Sequence, residues 1–253
     1  MRRGFFLLVL LWFLGTGGWL MGDTLPSDPA AAPPQRNWKL TLSGGVTLTS
    51  GNTSSQQFNN TCKFAVKGAQ LEYLTTLDFL YGMSGDTKTA NKGKWVQNLA
   101  NPQKKRINPF GSLSIEYDEF AGIGLRTNVG LGAQWVFSDR PENRSRIVTS
   151  FNGEFVDTTQ GLPNRKSVRF NLEYSKELRF SKTSRFSLSS LWTPNLADFA
   201  RDYRLDALAS VSVMMSNPLW LTLKLQNRFN NYPSSSTAKK NDLTFITAVE
   251  FTI

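Results

Sequence analysis

The chain contains no histidine and only one cysteine, Cys62, and these absences exclude much ordinary enzyme chemistry. Hydrolysis by a serine nucleophile normally needs a histidine base, and zinc sites are built from clustered cysteine and histidine. A single cysteine also excludes an intramolecular disulfide. Beyond residue 22 the chain has no apolar run long enough to cross a bilayer as a helix. We therefore predict that the protein is not an enzyme and has no catalytic, cofactor-binding or metal site.

The amino terminus has the pattern of a secretory signal. Arg2 and Arg3 precede an uncharged apolar run, Gly4–Gly15, which is too short to span a bilayer as a permanent helix. We predict that residues 1–22 form a signal peptide, and that the proline- and alanine-rich residues 23–36 form a disordered linker. Residues 37–253 then form a single domain. An uncleaved anchor helix is the alternative interpretation of the leader.

Alternation with a period of two dominates the rest of the chain. In WKLTLSGGVTLT, Trp38–Thr49, the even positions are apolar or glycine, while the odd positions are polar apart from one glycine. This pattern is typical of a strand whose two faces meet different surroundings. Similar segments of roughly 9–13 residues recur to the C-terminus, and they predict twelve strands. The segment from Lys94 to Asn101 is the weakest of them, and Met83–Lys94 is predicted as a long polar loop.

Strand length separates the two folds that could produce this pattern. Strands of a soluble sandwich are about five to six residues long, whereas strands that cross a membrane need about 9–11. The predicted strands are long and even in number, their links mostly alternate between short and long, and aromatic residues lie near their ends. We therefore predict an all-β fold, a transmembrane antiparallel β-barrel of about twelve strands in the outer membrane. A soluble sheet is the alternative.

The polar faces of the predicted strands carry ten basic and ten acidic residues, a balance that a wet, narrow barrel interior tolerates. From these, seven are candidates for lining the lumen: Glu116, Asp118, Arg126, Arg169, Glu173, Arg204 and Asp206. Without Arg2 and Arg3 the net charge falls from +10 to +8, and this excess is expected in loops. The basic residues predicted to lie in loops are interpreted as a basic rim that contacts surface glycolipid, with ordinary solvated loops as the alternative. They are Lys88, Lys92, Lys94, Lys104, Lys105, Arg106, Arg140, Arg144, Lys239 and Lys240.

Three motifs have both a structural and a functional interpretation. The carboxylates of Glu116 and Asp118 share a face at about 7 Å, a spacing compatible with acid–base chemistry, although an ion pair with Arg126 is the simpler explanation. Gly130 and Gly132 are interpreted as relieving crowding in the barrel wall. The segment TSGNT after the first strand is interpreted as a turn, with an extracellular mouth as the alternative.

Several local features have counterparts in one known family. They are a first strand that opens with Trp38 and ends in TSGNT, the acidic Glu116–Asp118, the run Arg126–Gly132, and the aspartates Asp206 and Asp242 near strand starts. From Asn37 to Ile253 the chain resembles the YdiY-like family, called salt-induced outer membrane proteins and catalogued as domain of unknown function 481. This resemblance implies an outer-membrane β-barrel and supplies no catalytic residues. One departure is the terminal Ile253, where outer-membrane barrels usually end on Phe or Trp.

Two functions remain open at this point. The first is a narrow, porin-like diffusion channel for small solutes or ions, and the second is a non-conducting structural envelope protein linked to osmotic or salt stress. The expected partners are outer-membrane lipid, surface glycolipid and, during biogenesis, the barrel assembly machinery. We expect a monomer that does not bind nucleic acid.

Overall fold

A computed structural model describes residues 37–49, 55–68, 70–101, 106–159, 163–232 and 240–253. The predicted signal peptide, the predicted linker and most of the TSGNT segment lie outside these residues. The described chain forms twelve strands: β1 Trp38–Thr49, β2 Ser55–Lys67, β3 Glu72–Ser84, β4 Thr87–Ala100, β5 Ile107–Asp118, β6 Ile123–Arg140, β7 Asn143–Thr158, β8 Arg165–Arg179, β9 Ser184–Pro194, β10 Tyr203–Ser216, β11 Leu219–Asn230 and β12 Asn241–Thr252.

The strands form a closed antiparallel barrel in which each strand pairs with its neighbours in sequence. β1 pairs with β12 from Thr41 opposite Thr252 to Val46 opposite Thr247, so the sheet has no free edge. Beyond this ladder, the backbone N–H of Leu40 donates to the carbonyl of Ile253 at 2.9 Å, and that of Ile253 donates to Leu40 at 3.0 Å. The predicted all-β barrel of twelve strands is confirmed.

The two faces of the sheet have opposite chemistry, as the alternation predicts. Leu131 of β6 and its register partner Phe151 of β7 point outwards and are 73% and 61% exposed. One residue along each strand, Asn152 points inwards opposite Gly130 and is 3% exposed. Apolar side chains on the outside and polar ones within match a barrel wall that faces lipid. The described part of the chain contains no helix that is both long enough and apolar enough to cross a membrane.

The barrel has two ends, which differ in their links. At the terminus end, where β1 begins and β12 ends, β6 joins β7 through residues 141–142 and β10 joins β11 through 217–218. At the opposite, far end lie the link 119–122 between β5 and β6 and the link 195–202 between β9 and β10. Tyr203 and Phe229 contact each other on the outer surface at the far end, with ring centroids 5.8 Å apart.

The predicted long loop at Met83–Lys94 is wrong. β3 continues to Ser84 and β4 starts at Thr87, so only residues 85 and 86 form the turn. Gly85 has a φ of 57°, a left-handed conformation that glycine adopts without the steric cost of a Cβ. β4 is therefore a full strand of 14 residues rather than the short one expected from Lys94 to Asn101.

The predicted basic rim must be corrected for the same reason. Lys88, Lys92 and Lys94 lie in β4, Arg140 lies in β6, and Arg144 lies in β7. Lys92 is opposite Asp118 and Lys94 is opposite Glu116, so both point to the inside of the barrel. Of the other residues assigned to the rim, Lys104, Lys105 and Lys239 lie outside the described residues.

Candidate functional site: the charged interior

The interior of the barrel contains a group of ion pairs near the far end, centred on Glu154 of β7. Its carboxylate lies 2.8 Å from Nε of Arg169, 2.7 Å from Nη1 of Arg204 and 3.5 Å from Nε of Arg126. Glu154 is 3% exposed and Arg169 is 4% exposed. Three cations around one buried carboxylate compensate for its loss of water, because each supplies a strong charge-assisted interaction.

The link between β9 and β10 completes this group. Both Asp202 oxygens accept hydrogen bonds from Nη2 of Arg169, at 3.1 and 2.9 Å. Asp202 also accepts a hydrogen bond from Nδ2 of Asn195 at 2.9 Å, within the same link. Nη1 of Arg126 donates to Glu116 at 3.3 Å, which extends the network to β5. The geometry agrees with the interpretation of Glu116 and Arg126 as an ion pair.

One of these ion pairs joins strands that are not neighbours in the sheet. Arg204 lies on β10 and Glu154 lies on β7, with β8 and β9 between them. Their contact therefore crosses the interior and narrows the space near the far end. We call this kind of contact a chord pair, because it connects two separated points of the barrel wall.

The structure brings only part of the seven predicted residues into this network. Glu116, Arg126, Arg169 and Arg204 belong to it, whereas Asp118 accepts a hydrogen bond from the backbone N–H of Ala121 at 2.9 Å. The remaining two lie elsewhere on the interior face. The carboxylate of Asp206 lies 3.6 Å from Nε of Arg228, and Glu173 borders a cavity.

Sequence reasoning did not select the two carboxylates that organise the group. Glu154 was counted among the twenty charges of the polar faces but was not among the seven candidates. Asp202 lies in a link, so alternation gave no information about it. Burial and the convergence of three arginines distinguish Glu154, and neither property is visible in a one-dimensional pattern.

A cavity of about 160 Å³ lies beside the network, inside the barrel. It is bordered by side chains from β4 to β9, and most of these are polar. The charged and amide side chains among them are Lys94, Asn98, Asn128, Asn152, Arg169, Asn171 and Glu173. Polar walls and a volume above that of single water molecules are properties of a hydrated space.

A second interior cluster surrounds Glu250 of β12 at the terminus end. Nη2 of Arg185 lies 2.7 Å from its carboxylate, and Nζ of Lys224 lies 3.0 Å from it. Lys224 also donates a hydrogen bond to Ser43 of β1 at 3.3 Å. The guanidinium of Arg185 lies 4.6 Å from the centre of the Trp220 ring. Arg185 on β9 and Glu250 on β12 form a second chord pair.

The position of Lys92 and Lys94 changes the charge of the interior. The sequence analysis balanced ten basic against ten acidic side chains. Because β4 also presents these two lysines to the inside, Arg165 lies there opposite Val156, and Asp202 joins from the β9–β10 link, the set becomes thirteen basic and eleven acidic. The expected balance is therefore replaced by an excess of positive charge.

The β5–β6 link carries a further charged contact at the far end. Lys88 donates hydrogen bonds to Glu119 at 2.9 and 3.1 Å, and Asn91 donates to it at 2.6 Å. The hydrogen bonds from Asn91 and Lys88 hold the pKa of the Glu119 carboxyl below its usual range. Within the described ranges there is no group of three His, Cys, Asp or Glu side chains placed to hold a metal ion.

Comparison with known proteins places the fold of the described chain, a closed barrel of twelve strands, in the class of outer-membrane-type β-barrels. The NanC porin matches with a TM-score of 0.52 and 8% identity, over 83% of this chain and 97% of that chain. The COG4313 outer membrane channel of Pseudomonas putida F1 matches with a TM-score of 0.50 and 10% identity, over 91% and 99%. At these identities the similarity concerns the fold alone.

The sequence family is more specific than the fold. Residues 43–253 match the model of DUF481, described as a protein of unknown function, and the chain belongs to this family. The predicted family is therefore confirmed. No curated protein matches the chain in sequence.

Proposed function

We propose that the protein is an outer-membrane channel through which small solutes or ions diffuse. The observation that carries this proposal is the polar cavity inside a closed barrel whose outer surface is apolar. A barrel of twelve strands is wide enough for side chains to leave a narrow passage. The interior network around Glu154 forms the constriction of this passage, and solutes cross it beside the chord pair of Arg204 and Glu154.

The porin and the channel that share the fold support this proposal without specifying a solute. We further propose that the terminus end faces the periplasm and the far end faces the outside. This orientation agrees with the predicted signal peptide, because export through the inner membrane leaves the mature amino terminus on the periplasmic side. N-terminal mass spectrometry of the protein purified from outer-membrane fractions should find a mature chain that begins near Asp23. An intact Met1 would contradict the proposed cleavage.

The direct test is single-channel recording of the refolded protein in a planar bilayer. We expect discrete, reproducible conductance steps. In the Arg126→Ala variant the steps should become larger, because the substitution removes a guanidinium from the constriction. A protein that is folded and β-rich but shows no conductance would contradict the channel.

The burial of the network favours a second candidate function, a non-conducting structural protein. Side chains of Glu154 and Arg169 that are almost without solvent contact are what a sealed interior requires. In that case the ion pairs would strengthen the wall of the barrel, as expected of a protein that supports the envelope under osmotic or salt stress. Silence in the bilayer, combined with normal folding, would support this function.

A further inference from the structure

We propose that the terminus end of the barrel interior contains a binding site for small anions, formed by Lys39, Lys63, Lys224 and Arg185. The site determines which ions the channel prefers, and in that respect it depends on the proposed function. Its ligands are small oxyanions and carboxylates, for which lysine acts as a compact point charge.

The interior at the terminus end has more basic than acidic side chains. Arg185 and Lys224 share the single carboxylate of Glu250, so their two positive charges meet one negative charge. Lys63 lies on β2 opposite Thr41 and interacts electrostatically with Lys224, Arg185, Asp78 and Glu250. Neither Lys39 nor Lys63 has a carboxylate within ion-pair distance among the residues that the structure describes.

The charged groups that face Lys39 from other strands are also mostly basic. They are Arg185, Arg179 and Arg144, with Glu177 as the carboxylate. Together with the four lysines and arginines of the site, six basic groups meet four acidic ones in this region: Glu250, Asp78, Glu177 and Asp139, which lies 3.6 Å from Nε of Arg144. Asp78 accepts a hydrogen bond from Thr61 at 2.7 Å and keeps its negative charge, so six positive charges against four negative ones leave a local excess of two positive charges.

The far end provides the contrast. Near the far ends of β4 to β12, basic and acidic interior residues are nearly equal in number: Lys92, Lys94, Arg126, Arg165, Arg169, Arg204 and Arg228 against Glu116, Asp118, Glu154, Asp202, Asp206 and Asp242. The far end therefore contributes little preference for either sign, because it has only one basic residue in excess. The preference arises at the terminus end, where Lys39 and Lys63 are exposed to the interior solvent.

Binding of inorganic phosphate to the refolded protein tests the site without requiring conduction. Calorimetric titration in detergent micelles should detect binding to the wild type. The double variant Lys39→Gln/Lys63→Gln should weaken it by about tenfold or more, because two charges are removed from the site. The matched control, Lys166→Gln/Lys182→Gln, removes two exposed lysines outside the interior and should leave binding unchanged. Equal phosphate affinity in both double variants would overturn the proposal.

Reversal potentials in a potassium chloride gradient test the consequence for permeation. The wild type should favour chloride over potassium. In the Lys39→Gln/Lys63→Gln variant the ratio of chloride to potassium permeability should fall by about threefold or more. Conductance with no preference for chloride would overturn the anion site and leave the channel intact. Phosphate binding that depends on Lys39 and Lys63 in a protein without conductance would support the anion site and overturn the channel. Both lysines are exposed, so the variant should retain wild-type stability in urea, which separates a binding effect from misfolding.

Discussion

Replacing Glu154 with glutamine should lower the free energy of unfolding by roughly 3 kcal/mol, the usual cost of breaking a buried ion pair from one side. The substitution keeps the shape of the side chain but leaves Arg126, Arg169 and Arg204 facing one another. Urea titration of the protein folded into lipid vesicles, followed by tryptophan fluorescence, measures the loss.

An exposed pair provides the control for this substitution. Glu177 lies 3.2 Å from Nε of Arg179 near the terminus end, and both side chains are partly exposed. Glu177→Gln should cost about 0.5 kcal/mol or less, because solvent screens such pairs. If Glu154→Gln cost no more than this control, interior water would screen the three arginines, and the network would not stabilise the barrel.

Replacing Gly132 with alanine should destabilise the barrel by about 3 kcal/mol or prevent its assembly, since overpacking against rigid backbone is costly. Gly132 points inwards from β6, and a Cβ there would clash with the backbone carbonyl of Thr149 and with Cα of Ser150. Neither atom belongs to a flexible side chain, so β7 itself would have to shift. Heat-modifiable migration in gels, together with urea titration, measures both outcomes.

Gly111 in the adjacent strand β5 is the matched control. It points outwards, and the nearest atom to an added Cβ would be Cδ2 of Leu131 at 3.8 Å, an ordinary van der Waals distance. Gly111→Ala should therefore fold as the wild type does. Wild-type stability of Gly132→Ala would mean that β6 and β7 are further apart than the structure places them.

The alternation of the sequence was sufficient to predict the fold because it is a local property. Each strand of a barrel must present one face to lipid and one to the interior, so the pattern gives strand number and facing directly. β4 was the exception. Two of its outward positions near the far end are Asn91 and Gly93 rather than apolar residues. A Cβ on Gly93 would touch the ring of Tyr117, so this aromatic side chain covers the place that an apolar one would fill.

The partners inside the barrel could be predicted only in part, for a physical reason. Glu116 and Arg126 lie opposite each other on adjacent strands, so sequence spacing was enough to suggest their pairing. The contact of Arg204 with Glu154 depends on how the wall curves between β7 and β10. That curvature results from strand tilt and closure of the whole sheet, which no local window contains. Distances between non-adjacent strands therefore require the three-dimensional structure.

The chord pairs have a mechanical consequence. Backbone hydrogen bonds fix the separation of neighbouring strands, but they leave the angle between one strand and the next soft, so a ladder alone sets the circumference and not the outline of the cross-section. A contact from β7 to β10, or from β9 to β12, acts as a strut that resists flattening of the wall between its two ends. Charged side chains within the barrel thus add to its stiffness against lateral pressure from the surrounding lipid, and because Glu154 is almost without solvent contact, salt screens the strut from β7 to β10 only weakly.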